Sequence, residues 1–341
     1  MTARTKMTRR SFVAASTAIT AAAILPSRPA HAAEFEYKMG HSSPAGHPFH
    51  KRLLEVAERI DKGTNGRMKL TIFPASQLGG DNDLLSQARS GAVDFVQPAG
   101  LILASILPVA AVNGMGFAFK DYTQVWAAMD GELGDYVRSQ ISAKAGLVPM
   151  DKRWDLGFRQ ITTSAKPIEK AADLAGMKLR VPGAPALVSL FTALGASPVS
   201  MQFGEVYTSL QTKVVDGQEN PLSVIDAGKF YEVQKYCAIT NHVWDGYWIC
   251  ANPASWNRLP NDIKAVVAKS FNDVALLERA DLELLDRTLQ ADLEKKGLTF
   301  TKPDLNSFRE KLRAAGFYQE WKGKIGNEAW TLLEKQVGKL A

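Results

Sequence analysis

Cysteine is nearly absent from this chain of 341 residues, which holds only Cys237 and Cys250. That number excludes a disulfide framework and the thiolate-rich spacing of a zinc module. The two cysteines fall on expected strands either side of His242–Gly246, so a cross-strand bridge is one option. The reading taken is two buried thiols acting as small hydrophobes. Enzyme signatures are missing as well: there is no G-x-S-x-G, no H-E-x-x-H and no phosphate-binding loop. His41 and His47 with Asp81 match no standard zinc spacing, and neither a metal nor a cofactor is expected. Long hydrophobic runs are also lacking. The longest, Leu101–Val112, is broken by Ser105 and Pro108 and reads as buried core.

Acidic residues are absent from residues 1–32, which carry Arg4, Lys6, Arg9, Arg10 and Arg28. Without those five, 36 basic residues stand against 35 acidic ones, so the formal charge of +6 is largely a property of the N-terminus. A nucleic-acid partner is therefore not expected. Thr8-Arg9-Arg10-Ser11-Phe12-Val13 is a twin-arginine pattern. A charge-free, Ala- and Ser-rich segment follows from Ser11 to Ser27, and Ala30-His31-Ala32 fits an A-x-A cleavage site. The alternative, a membrane anchor, is weakened by Pro26 and several hydroxyls. The expectation is an exported chain, cleaved near Ala32 and working in the periplasm.

The rest alternates strands and helices. Glu36–Gly40, Lys69–Phe73 and Val93–Gln97 read as strands, with helices at Phe49–Lys62 and up to Ala88 between them. Met177–Val181 and Ser197–Met201 read as strands, and Pro185–Leu194 and Gly204–Lys213 as helices. Val214–Gly217 leads into a third strand, with Gln218-Glu219-Asn220-Pro221 just past it. Such alternation predicts βαβ units, whose ligands bind outside the carboxyl ends of the strands. Arg180 and Asn220 fall near such ends. A guanidinium fork beside a carboxamide suits a carboxylate; alternatively, Arg180 is a structural residue paired with Glu205 or Glu219. Asn261–Lys296 holds no Pro or Gly and predicts one helix that could exceed ~50 Å.

Several ordered runs carry a family resemblance: K-L-R-V-P around Arg180, G-A-S-P-V-S-M-Q-F-G-E-V-Y, L-Q-T-K-V-V-D-G-Q-E-N-P and F-Y-E-V-Q-K-Y…T-N-H. With residues 66–94 and 157–168, they resemble the extracytoplasmic solute-binding proteins of TRAP transporters, the DctP-like family. The likeness spans nearly all of residues 35–300. It implies an α/β, two-lobed periplasmic-binding-protein-like fold with a mixed sheet in each lobe, a hinge, and a long helix spanning both. The expected division is 1–32 signal peptide, 33–156 plus 245–285 lobe one, and 157–244 plus 286–341 lobe two, with the charged tail 303–341 packed on lobe two.

The resemblance makes Arg180 the principal carboxylate contact. It gives Arg159 a supporting role, the alternative being a hinge residue paired with Asp155. Asn220 becomes a donor to the ligand, or else a cap for the helix after Pro221. Phe203 matches an aromatic that packs on the ligand, or else is core. His41, Ser43 and His47 occupy the first strand-to-helix loop, which faces the cleft. The Gly79-Gly80-Asp81 turn offers backbone amides to an anion. Trp154, Trp244 and Trp248 lie near the hinge or cleft rim, as pocket walls or as core. The segment Gln97-Pro98-Ala99-Gly100-Leu101 lacks the acid of sialic-acid-binding relatives, which favours a small or partly apolar carboxylate over a large sugar acid.

The function expected is capture of a small organic acid and its delivery to TRAP membrane permease subunits by a monomer. The rivals are an exported two-domain enzyme acting on a carboxylic acid, with the histidines of 41–47 as the available base, and a sensory binding protein.

Overall fold

The computed structural model describes residues 33–340, so the twin-arginine pattern and the cleavage site lie outside the described residues. Twelve strands are described: β1 Phe35–Gly40, β2 Met68–Phe73, β3 Phe95–Val96, β4 Val148–Pro149, β5 Trp154–Thr163, β6 Lys178–Val181, β7 Ser197–Ser200, β8 Gly217–Pro221, β9 Tyr236–Ala238, β10 Trp244–Tyr247, β11 Cys250–Ala251 and β12 Thr299–Thr301. They form two mixed sheets. The first runs β2-β1-β3-β11-β4, and the second β12-β9-β5-β8-β6-β7 with β10 on β5. Parallel pairing of β1 with β2 and β3, and of β6 with β7 and β8, is the product of βαβ crossovers.

The crossover helices follow from their sequences. Pro48–Gly63 starts on proline, is capped by the His47 ring, and buries Phe49, Leu53, Val56 and Ile60 along one face. Pro185–Ala193 buries Ala186, Leu187, Leu190 and Phe191 in the same way. The uninterrupted pattern after Pro260 is a single helix of 35 residues, Asn261–Lys295. It enters one hydrophobic core through Ile263, Val267, Phe271 and Val274, and another through Leu289 and Leu293.

Three details differ from the sequence reading. First, Gln218–Pro221 does not lie past a strand but forms most of β8. These residues have low strand propensity, yet pairing with β5 from Arg159↔Pro221 to Thr163↔Gly217 imposes the conformation. Second, the strand expected around Cys250 is only Cys250–Ala251, and it is separate from Trp244–Tyr247 before it. β10 pairs with the first half of β5, whereas β11 pairs with β3 and β4 in the other sheet. Third, the tail after residue 303 does not pack on lobe two alone. Leu305–Ala314 lies on Pro185–Ala193, but Asn327–Val337 lies on Tyr122–Met129 and Glu132–Gln140.

The β5–β10 ribbon is the hinge. Its register slips between Asp245 and Gly246. Gly157 has φ +113, a conformation that strongly favours glycine, beside Pro221. Three buried or partly buried carboxyls gather here. Asp155 Oδ1 accepts from Trp244 Nε1 at 2.8 Å, Glu278 Oε2 accepts from the Asp155 backbone N–H at 2.9 Å, and Asp286 accepts from the Tyr122 hydroxyl at 3.2 Å. Arg279, the nearest cation, is spent on Asp130 and the Arg153 carbonyl. Burial pushes the Asp155 pKa up to about 7 and that of Asp286 up to about 6, and it raises Glu278 well above the usual range.

Cys237 and Cys250 are both free and buried, in separate cores. Among the described residues no helix is long and apolar enough to cross a membrane.

Candidate functional site

Arg180 stands near the carboxyl end of β6, opposite Val199 of β7 and Gln218 of β8. Its Nε and Nη2 donate to the Met201 carbonyl at 3.1 and 2.7 Å, which fixes the plane of the fork. Neither acid expected as its partner, Glu205 or Glu219, forms an ion pair with it. Among the described residues it has no ion-pair partner at all, although it is only 2% exposed. Burial pulls its pKa down to about 10, against the pull of the Glu219 charge, so it remains a cation at neutral pH.

Arg159 is held quite differently. Nε and Nη2 donate to the Glu219 carboxylate at 2.5 and 2.7 Å, and Nη2 also reaches the Glu219 carbonyl and Asn220 Oδ1. Its partner is therefore Glu219 across the β5–β8 ladder, not Asp155. Glu219 also lies 3.1 Å from His242 Nε2, whose Nδ1 is 2.7 Å from the Thr240 hydroxyl. Burial pushes the His242 pKa down, with Glu219 opposing. The neutral ring then donates from Nε2, because a carboxylate only accepts. Burial also disfavours the Glu219 charge, but Arg159 outweighs it and holds the carboxyl below its usual pKa.

Asn220 bridges Arg159 and Gln218, since its Nδ2 donates to Gln218 Oε1 at 2.5 Å. It makes no capping bond to the helix that follows, and one of its N–H groups is left for the cavity.

These three residues line one cavity of volume ≈ 50 Å³. Phe203 and Ser43 line it too. The first sheet's wall adds Ser42, Pro44, Asp81, Ala99, Leu101 and Ile102, while the hinge adds Leu156, Asp245 and Tyr247. Across the cleft, Asn82 Nδ2 reaches the Gly183 carbonyl at 3.3 Å. Gly80 lies so close to Gln202 that an added Cβ would overlap its amide. The two lobes are thus in contact beside the cavity.

Four expected site residues do not line this cavity. His41 Nε2 lies 3.0 Å from His50 Nδ1, and its ring packs edge-on against Phe49. His47 is spent on capping, accepting from the Phe49 backbone N–H at 3.2 Å. Burial pushes their pKa values down to about 3 and about 4, so both rings are neutral. Trp154 packs on Phe49, and Trp248 lies against the Arg153 guanidinium, 4.5 Å from ring centroid to Cζ. Both rings are buried in hydrophobic cores, Trp154 in one and Trp248 in another.

Sequence reading missed the Asp81 side chain, Ser42, Asp245 and Tyr247. Asp81 Oδ1 accepts from Ser42 Oγ at 2.6 Å. Its position at a helix start reads as capping, but Asp83 takes that role by accepting from the Gly80 backbone N–H. That second acid three residues past Gly80 is the signal that could have freed Asp81 for the cavity.

Comparison with known proteins supplies the rest. Residues 39–322 match the family described as bacterial extracellular solute-binding protein, family 7 (DctP). A solute-binding protein of Roseobacter denitrificans is 36% identical over 295 residues, 86% of this chain and 89% of its own. The solved structure of that same protein, a TRAP periplasmic solute-binding protein with bound L-galactonate, aligns with a TM-score of 0.82 at 32% identity, covering 89% of this chain and 99% of its own. One from Sulfurospirillum deleyianum, solved with bound succinate, is 30% identical with a TM-score of 0.82, covering 89% and 98%.

Proposed function

The chain belongs to bacterial extracellular solute-binding protein family 7 (DctP), and from that premise we propose that it captures a small organic acid at Arg180 and delivers it to a TRAP membrane permease. The family and the solved relatives are solute-binding proteins, so the reading as an exported enzyme is set aside. One observation carries the proposal. Arg180 is a buried guanidinium, lining the cavity, with no anion of its own among the described residues. A buried charge calls for a partner, and a ligand carboxylate supplies it through the unused Nη1. Arg159 and Asn220 hold the neighbouring surface in place. Leu101, Ile102, Leu156 and Val224 supply apolar walls, and the small volume favours a short acid over a long one. In this reading the mature chain works in the periplasm as a monomer, and residues 1–32 are the twin-arginine leader.

Calorimetry on a panel of short organic acids tests this. Stripping one partner from a desolvated pair costs about 2–5 kcal/mol, so Arg180→Ala should abolish measurable binding while melting near the wild-type temperature. Arg180→Lys should bind weakly, because the planar fork is lost. Undiminished affinity in Arg180→Ala would overturn the assignment. Uptake by proteoliposomes carrying the permease, dependent on added binding protein, separates transport from a sensory role.

A further inference from the structure

The cavity has two opposed poles. On the second sheet's wall, Arg180 and Arg159 each keep Nη1 without a hydrogen-bond partner among the described residues. Two carboxyls also line the cavity, Asp81 on the first sheet's wall and Asp245 at the hinge. Asp81 uses Oδ1 on Ser42, and Asp245 uses Oδ1 on Gly100 N, Asn113 Nδ2 and Gly246 N. Neither Oδ2 has a hydrogen-bond partner among the described residues.

The charges cancel in pairs. Glu219 neutralises Arg159, and Arg153 lies 4.0 Å from Asp245. Arg180 and Asp81 are left as the one cation and the one carboxyl of the cavity lining without an ion-pair partner among the described residues; burial raises the Asp81 pKa, with the Ser42 bond and the Arg180 charge opposing and favouring the anion. The site is therefore close to neutral overall but strongly polarised. One carboxylate satisfies the Arg180 end. At the other end Asp81 offers a free acceptor, which matches a hydrogen-bond donor and repels a second carboxylate.

Resting on the carboxylate reading above, we propose that the ligand is a monocarboxylate carrying a hydroxyl or ammonium donor, and that Asp81 is the residue that excludes dicarboxylates. Ser42 is its positioning residue: its hydroxyl holds Oδ1 at 2.6 Å and leaves Oδ2 free.

The test is calorimetry with matched acids of three to five carbons: the unsubstituted acid, its hydroxy and amino derivatives, and the dicarboxylate of equal length. On the wild-type protein the best donor-bearing acid should bind at least about tenfold tighter than its dicarboxylate partner. Asp81→Asn should narrow that gap by about tenfold, mainly by admitting the dicarboxylate, while Arg180→Ala removes binding of every acid. The hydroxy and amino arms decide which donor is used. A dicarboxylate that binds as tightly as its hydroxy partner overturns the proposal, as does an unchanged ratio in a folded Asp81→Asn. Flat selectivity with Arg180-dependent binding sinks the role of Asp81 alone. No binding of any acid sinks the carboxylate reading with it.

Discussion

Beneath the cavity and at the hinge lie two sets of carboxyls whose pKa values burial and partners drive in opposite directions. Glu219 has a guanidinium clamped on it and an imidazole N–H behind it, so its charge is held. Asp155, Glu278 and Asp286 accept neutral donors only. Among the described residues none of the three is in an ion pair, and burial raises the pKa of all three. Depth alone does not decide ionisation; the partner does. The protein spends its strongest ionic pairing on holding the cavity wall and leaves the hinge carboxyls without a counter-charge.

Removing the clamp gives the largest expected effect. Glu219→Ala strands Arg159 as a buried unpaired cation, and denaturant unfolding should show a loss of about 3–5 kcal/mol, with weakened ligand binding. A loss below 1 kcal/mol would make the two sets equivalent after all.

Next comes the pH dependence of the hinge. A carboxyl with a pKa raised by folding contributes stability that is full below its unfolded value and is lost as pH rises through its folded value. For Asp155 that window runs from about 4 to about 7. Melting temperature should fall across it, and Asp155→Asn should flatten the fall while keeping the Trp244 bond. Glu219 slopes the other way: its stabilisation is present above the unfolded pKa and is lost as pH drops through the depressed folded value. An identical melting profile in Asp155→Asn would place the proton elsewhere.

A smaller change is expected for Glu278→Gln. If the side chain is already neutral at pH 7, the amide should cost no more than about 1 kcal/mol. The smallest of all concerns the thiols: reductant should leave the melting temperature unchanged, since Cys237 and Cys250 lie in separate cores.

The strand–helix alternation was legible because β6, β7 and their crossover helix carry clean local patterns. Arg180 was placed from them correctly at a strand end. β8 was not legible, because Gln218, Glu219 and Asn220 are strand residues only through their pairing with β5 and β6. The change of sheet at Trp248-Ile249 was likewise hidden, since apolar residues run through it without a break. At the cavity, Arg180, Arg159, Asn220, Phe203 and Ser43 could be named in advance. His41 and His47 could not be excluded, because a capping or core imidazole carries the same letter as a cleft-facing one. Asp81 was obscured by its place at a helix start.

The helix Asn261–Lys295 has one further consequence. It is anchored near its start in the core around Phe271 and near its end in the core around Leu293, with Leu284 between them 67% exposed. Melting either half would unravel a rod on which the other half depends. The two sheets should therefore denature in one cooperative step rather than in succession.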